Sequence, residues 1–127
     1  MTLTAQGIDF AYGERLILQK ASFAPLRPGQ LTALIGPNAS GKSTLFRCIA
    51  GLLKPSAGEV HLCGIDLSTL SPRQRLKRVC FMPQFFAANA ALTVFDVVMM
   101  AQKDLSGWRV TPADMEAVGQ ALNSAGV

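Results

Sequence analysis

Short apolar runs in the first part of the chain indicate strands rather than helices. Residues 3–10 and 16–23 form two such runs, and the second alternates in part between apolar and polar positions. A turn at 12–14 separates them, so the pattern predicts two strands joined by a turn. A third apolar run at 31–35 follows the chain breakers at 28–29 and predicts a third strand.

The pattern then changes to the spacing of helices. It predicts a helix over 42–52, which ends at a glycine and a lysine-proline pair. A short strand is predicted at 59–62. A capping serine followed by a proline in the first turn predicts a second helix from Ser71 to about Arg78.

The last third of the chain is mainly helical in its pattern. An apolar run at 79–82 predicts one more buried strand, closed by a proline. Helices are predicted over 93–101 and 111–124, with a connection at 103–109 between them. Strands mixed with helices in this way indicate the α/β class.

The segment between the third predicted strand and the first predicted helix reads GPNASGKST, residues 36–44. It matches G-x-x-x-x-G-K-[ST], the phosphate-binding loop, in its strand-to-helix context. Glycines let several N–H groups converge on one anion, and the helix start adds free donors and a positive dipole end. The predicted nucleotide-binding residues are Gly36, Asn38, Ser40, Gly41, Lys42, Ser43 and Thr44.

Each charged or hydroxyl residue of this loop has an expected part. Lys42 reaches the β- and γ-phosphates, Ser43 places its hydroxyl on Mg²⁺, and Thr44 supports the turn. The alternative is a glycine-rich strand-to-helix turn with a surface lysine. The clean strand and helix pattern on either side favours nucleotide binding.

Composition narrows the class of protein. The 127 residues suffice for one domain, and half are apolar while only 16% are charged, which suits a buried α/β sheet. The net charge of +4 is modest, and the basic residues cluster only at 73–78. A solvated helix face explains that cluster better than a nucleic-acid partner does.

Cysteine usage, the amino-terminal sequence and hydropathy add three expectations. Cys48, Cys63 and Cys80 are widely spaced without metal-site spacing, which predicts buried thiols in a reducing compartment. The amino terminus shows no secretion signal. The longest apolar stretch, 92–101, contains Asp96 and is too short to span a bilayer.

Two further positions narrow the kind of phosphate-loop protein. Tyr12 lies 24 residues before Gly36, and Gln84 lies 42 residues after Lys42, directly after an apolar run and a proline. With these, the sequence resembles the ATP-binding-cassette (ABC) ATPases over nearly its whole length. The matching stretches are LTALIGPN, SGKSTL, AGLLKPSAGEV and FMPQ.

This resemblance implies a P-loop NTPase fold of ABC type, with amino-terminal antiparallel strands, a phosphate-loop core and the start of a helical subdomain. Residues 1–84 would form the nucleotide-binding core and 85–127 the start of the subdomain. By the same resemblance, Tyr12 stacks on the adenine ring, and Gln84 reaches Mg²⁺ and the attacking water. Lys42 and Gln84 are then the catalytic residues, and Ser43 and Gln84 the metal ligands. The alternatives are a strand-end tyrosine and an ordinary loop glutamine.

The resemblance also implies a function and partners. ABC importers hydrolyse ATP in a dimer of two ATPase subunits on the inner face of the cell membrane, where they drive a membrane-spanning permease. The stretches 67–75 and 96–100 are similar to importers of iron siderophores, haem or cobalamin. Two alternatives stay open: a non-transport ABC protein that contacts nucleic acid through Arg73 and its neighbours, and a module that binds ATP without hydrolysing it.

The sequence departs from the family pattern in several places. Position 39 is alanine where glycine is usual, which costs about 1 kcal/mol if φ is positive there. The run at 105–108 only begins like the signature loop and is interpreted as a turn, and His61 is interpreted as a strand histidine. No strand ending in Asp-Glu follows the loop. We therefore expect an uncovered apolar face, marginal stability, and nucleotide binding with doubtful hydrolysis.

Overall fold

The computed structural model describes residues 2–84 and 92–127. The chain divides into two compact units, one ending at Phe81 and the other beginning at Met82. The first unit contains β1 (Leu3–Tyr12), β2 (Arg15–Leu26), α1 (Lys42–Ile49), β3 (Ala57–Leu62), β4 (Ile65–Asp66), a 3-10 helix (Leu67–Thr69) and α2 (Pro72–Leu76). The second contains α3 (Val94–Ser106) and α4 (Pro112–Ala125).

The first unit is built on a four-stranded antiparallel sheet in the order β2-β1-β3-β4. In β1, Ala5, Ile8 and Phe10 are all buried, although simple alternation would place Ala5 and Ile8 on opposite faces. The register shifts between these two residues, and Gly7 has a φ of +61° there. The Gly7 N–H donates to Ser22 Oγ at 2.8 Å instead of to the ladder. A bulge at Gly7 therefore turns all three apolar side chains toward the core.

The core lies between this sheet and α1. Cys48 and Ile49 from the last turn of α1 are buried against side chains of the sheet and of the 3-10 helix. Each large apolar side chain buried in this way contributes roughly 1.5–3 kcal/mol. The buried cluster consists of Ala5, Ile8, Phe10, Leu18, Cys48, Ile49, Val60 and Leu67.

The strands predicted at 31–35 and 79–82 are absent from the described residues, where both stretches have no regular structure. A strand needs a neighbour to pair with its N–H and C=O groups, and no described strand pairs with either stretch. Leu31 and Ile35 are almost fully exposed. The first unit thus shows an uncovered apolar segment, while marginal stability stays a prediction.

The helix starts were predicted more accurately than the helix ends. Ser71, Thr93 and Thr111 each form a reciprocal capping box with the residue three positions later. However, α1 ends at Ile49 rather than at residue 52, and α3 continues to Ser106 through the predicted connection.

The expectation of buried thiols was correct for one cysteine. Cys48 is buried, and burial raises the pKa of its thiol. Cys63 and Cys80 are exposed, because Cys63 lies in the turn after β3 and Cys80 lies in a stretch that forms no strand. Among the described helices, none has the length and apolar character needed to cross a membrane.

The second unit is held together by a buried carboxylate, that of Asp114. It accepts hydrogen bonds from Lys103 Nζ at 2.7 Å, Ser106 Oγ at 2.9 Å and Thr111 Oγ1 at 2.7 Å. Lys103 and Ser106 belong to α3, whereas Thr111 caps α4. The hydrogen bonds from Lys103 and Thr111 hold the pKa of Asp114 well below its usual range. One side chain thus both completes the capping box of α4 and joins this helix to α3.

We predict that Asp114→Asn lowers the thermal midpoint of the helix pair, because it leaves the largely buried side chain of Lys103 without its counter-ion. Because the pKa of Asp114 is lowered in the folded state, its ionised carboxylate stabilises the helix pair fully at neutral pH. This stabilisation decreases as the pH falls below about 4, the pKa of an aspartate in the unfolded chain. Circular dichroism at 222 nm measures it, since α3 and α4 contain 13 and 14 residues. Asp104→Asn, an exposed position of α3, is the control. Equal midpoints for the two variants at pH 7 would contradict the prediction.

Candidate nucleotide-binding site

The stretch at 36–42 closes around the ammonium group of Lys42. Lys42 Nζ donates to the carbonyl oxygen of Gly36 at 2.8 Å and to that of Pro37 at 2.5 Å. Ser40 Oγ lies 3.5 Å from the same atom. Three oxygen atoms of this stretch thus surround one positive charge.

Helix α1 begins directly at this loop. Gly41 precedes it with a φ of +90°, and among the described residues no side chain caps the helix. A Cβ at Gly41 would lie 2.9 Å from Leu18 Cδ2 and 3.2 Å from the Ile17 carbonyl oxygen. Glycine is therefore needed here both for its conformation and for the close approach of the helix to β2. The uncapped helix start leaves its first N–H groups available to an anion.

The side chains of the loop separate into two environments. Asn38, Ser40 and Ser43 are exposed, whereas Thr44 is buried in the first turn of α1. The supporting role of Thr44 in the turn stays a prediction. Ser43 lies in the same first turn and is exposed.

Ala39 adopts the left-handed conformation, with a φ of +63°. This is the condition under which alanine is unfavourable relative to glycine, by about 1 kcal/mol. The loop therefore keeps its shape against a local strain.

Tyr12 lies at the end of β1, opposite Arg15 of β2. The residue is 47% exposed, and its ring packs edge-to-face with that of Phe10, with the ring centroids 4.9 Å apart. Phe10 belongs to the core, so Tyr12 is anchored on one side and accessible on another. A planar group can stack on such a ring, and its contact with adenine stays a prediction.

Gln84 lies in the second unit, three positions after Phe81, and is exposed. Its predicted parts in metal binding and catalysis rest on the resemblance of the sequence and stay predictions. Phosphate-loop residues and Tyr12 all belong to the first unit.

The donor set suits Mg²⁺ that arrives with a nucleotide. Within residues 2–84 and 92–127, no group of three or more His, Cys, Asp or Glu side chains is placed to hold a metal. Mg²⁺ is commonly bound by one or two protein oxygens together with phosphates and water. Ser43, exposed at the start of α1, fits that arrangement.

Two sequence features that resembled functional motifs, the run at 105–108 and His61, contribute to the structure. Ser106 ends α3 and donates to Asp114, and Gly107 follows it with a φ of +106°. Residues 105 and 106 are thus helical, so the interpretation of 105–108 as a turn was wrong for its first half. His61 lies in β3 with its Nε2 3.7 Å from Glu59 Oε2, in agreement with a strand histidine.

Arg75 differs from the solvated basic face that the sequence predicts at 73–78. Its guanidinium turns inward and donates to the backbone carbonyl oxygens of Gly51 and Leu67. Arginine spacing alone could not reveal this, because both acceptors are backbone carbonyls outside α2, 24 and 8 residues away in sequence.

Comparison with known proteins identifies the family. The model of the ABC transporter family matches residues 18–126. The chain belongs to the ABC transporter family. It is 41% identical to the hemin import ATP-binding protein HmuV of Bordetella pertussis, across all of the chain and 48% of that protein. It is 35% identical to an uncharacterized ABC transporter ATP-binding protein of Methanocaldococcus jannaschii, across 96% of the chain and 47% of that protein.

A probable iron chelatin transport ATP-binding protein of Helicobacter pylori is 36% identical over 80% of the chain and 40% of its own length. The chain thus spans about half the length of the curated relatives it matches. Among solved structures, a dimeric ATP-binding cassette in a post-hydrolysis state with ADP and Pi is similar. Its TM-score is 0.78 at 23% identity, over 98% of the chain and 57% of the other. At this identity the likeness establishes the fold, which confirms the predicted ABC-type fold class.

We predict that Ala39→Gly stabilises the first unit by about 1 kcal/mol, because glycine adopts a positive φ without strain. In a Cys63→Ser, Cys80→Ser background, labelling of buried Cys48 in urea reports the unfolding of this unit. Ala50→Gly is the matched control, since Ala50 has a φ of −71° and glycine there should destabilise by up to about 1 kcal/mol. Ala39→Gly without effect, or with the sign of the control, would contradict the prediction.

Proposed function

We propose that the first unit binds ATP with Mg²⁺ at the loop formed by residues 36–44. The observation that carries this proposal is the position of Lys42 Nζ, held by two backbone carbonyls of the loop at the uncapped start of α1. A positive charge, open N–H donors and an exposed hydroxyl converge there, which is the combination that binds a polyphosphate.

In this proposal each residue of the chain has a distinct part. Lys42 exchanges its contacts with Gly36 and Pro37 for oxygens of the β- and γ-phosphates. The N–H groups at the start of α1 donate to the phosphates, and Ser43 contributes its hydroxyl to Mg²⁺, which neutralises phosphate charge when bound. Tyr12 holds the adenine by stacking.

For the longer protein, we propose ATP hydrolysis that drives import of a metal chelate through membrane permease subunits. The names of the hemin-import and iron-chelatin relatives support this substrate class, and the dimeric ADP-bound neighbour supports pairing of two ATPase subunits. Gln84 would orient the attacking water. In such an assembly the protein is peripheral on the cytoplasmic face of the membrane.

Of the two alternatives, binding without hydrolysis is favoured for the 127-residue chain by itself. The sequence contains no strand ending in Asp-Glu after the loop, and this acid would polarise the attacking water. The nucleic-acid alternative is weakened by Arg75, because its guanidinium is engaged by backbone carbonyls rather than presented to a phosphate backbone.

We predict that Lys42→Ala abolishes Mg-ATP binding, since it removes the charge that compensates the phosphates. Isothermal titration of the chain with Mg-ATP measures it, with Lys77→Ala, an exposed lysine of the same unit, as the charge-matched control. Unchanged affinity in Lys42→Ala would overturn the assignment of the loop. A single-turnover assay on the same samples separates binding alone from hydrolysis.

We predict that Tyr12→Ala weakens Mg-ATP binding roughly 5- to 150-fold, the loss expected when a base loses its stacking partner. Tyr12→Phe keeps the ring and should retain affinity. Mg-triphosphate without a base provides a second control, because its affinity should be the same in both variants. If Tyr12→Ala lowers the affinities for triphosphate and for ATP equally, Tyr12 stabilises the fold of the site and does not stack on the base.

A further inference from the structure

The guanidinium of Arg75 joins two segments that flank the core of the first unit. Its Nη1 donates to the carbonyl oxygen of Gly51 at 3.2 Å, and its Nη2 donates to that of Leu67 at 2.5 Å. Gly51 lies two residues past the end of α1, and Leu67 begins the 3-10 helix. Because both acceptors are backbone atoms, the contact fixes the path of the chain rather than a side-chain rotamer.

Gly51 leaves room for the Arg75 guanidinium because it has no side chain. A Cβ at Gly51 would lie only 1.5 Å from Arg75 Nη1, so the guanidinium fills the space that a side chain would need. Gly51 also has a φ of +72°, which glycine adopts freely. The Arg75 side chain thus packs directly against the turn that follows α1.

The positive charge of Arg75 lies near two groups of negative charge. The carboxyl end of a helix carries the negative end of its dipole, and a cation near it is stabilising. Asp66, which caps the 3-10 helix through the N–H of Ser68, is a second negative group nearby. Hydrogen bonds from Ser68 are the main cause that lowers the pKa of Asp66, and the charge of Arg75 contributes further.

One donor of Arg75 is left over. Its Nε is buried, and within the part of the chain that the structure describes it has no hydrogen-bond partner. A buried donor without a partner is unfavourable, so the two carbonyl contacts and the fit against Gly51 determine the orientation of the side chain. A cavity of about 270 Å³, lined also by Cys48 of α1, lies beside it.

We propose that Arg75 is a positioning residue for the nucleotide site, which holds the carboxyl end of α1 so that the amino end presents Lys42 and Ser43 correctly. The helix has eight residues and is about 12 Å long, so a shift at one end is transmitted to the other. The consequence for nucleotide affinity rests on the proposed function, whereas the contact itself does not.

The first measurement follows α1 directly. In the background with Cys48 as the only thiol, labelling by a polymer-linked maleimide, too large for the cavity, reports release of α1 from the core. We expect about tenfold faster native-state labelling in Arg75→Ala. Arg78→Ala, an exposed arginine just past α2, should label like the parent. Arg75→Lys should be intermediate, because one ammonium keeps the charge but cannot fork to both carbonyls.

The second measurement separates positioning from stability. We expect Arg75→Ala to weaken Mg-ATP affinity about tenfold, with partial recovery in Arg75→Lys. Ile8→Val removes one buried methylene of β1 from the same core and lowers stability while it leaves every residue of α1 and the loop unchanged, so its affinity should match the parent.

Two outcomes would overturn the inference. One is equal Cys48 labelling in Arg75→Ala and Arg78→Ala. The other is faster labelling in Arg75→Ala with the affinity of Ile8→Val, which would reduce Arg75 to a stabilising contact. If the parent chain binds no Mg-ATP, the proposed function fails and the nucleotide consequence fails with it. The labelling result would still establish whether Arg75 holds α1.

Discussion

The close approach of Gly41 to β2 is the contact on which the candidate site depends. Any side chain at this position would meet Leu18 Cδ2 and the Ile17 carbonyl oxygen, and the helix start would have to move away from the sheet. Leu18 is itself buried in the same core as Ile8 and Cys48. The packing of the core therefore fixes the place at which the loop turns into α1, and the loop inherits its shape from the sheet.

Features that depend on neighbouring residues could be predicted from the sequence. The turn from residues 36–44 into α1, the hairpin of β1 and β2, and the three capped helix starts all follow from residues within a few positions of one another. The strand predicted at 31–35 depended instead on a partner segment, and apolar character alone does not supply hydrogen bonds. The bulge at Gly7 was also unpredictable, because it shows only in the register between strands.

Interactions between distant segments were the least accessible to sequence reasoning. The sequence predicts Asp114 as the acidic residue in the first turn of a helix, and it lies in the first turn of α4. Its bonds to Lys103 and Ser106 come from another helix and have no local signal. Arg75 is the clearest case, since its position in a run of basic residues suggested solvent while its acceptors lie on two other segments.

Helix α1 combines requirements that conflict. Eight residues are too few to form a stable helix alone, and its amino end lacks the side-chain cap that usually stabilises a helix start. The N–H groups left open there are the ones that a phosphate can accept from, so a cap would compete with the ligand. The stability that the missing cap would have supplied must therefore come from the rest of the helix. Cys48 and Ile49 in the core and the backbone at Gly51 are where the structure provides it.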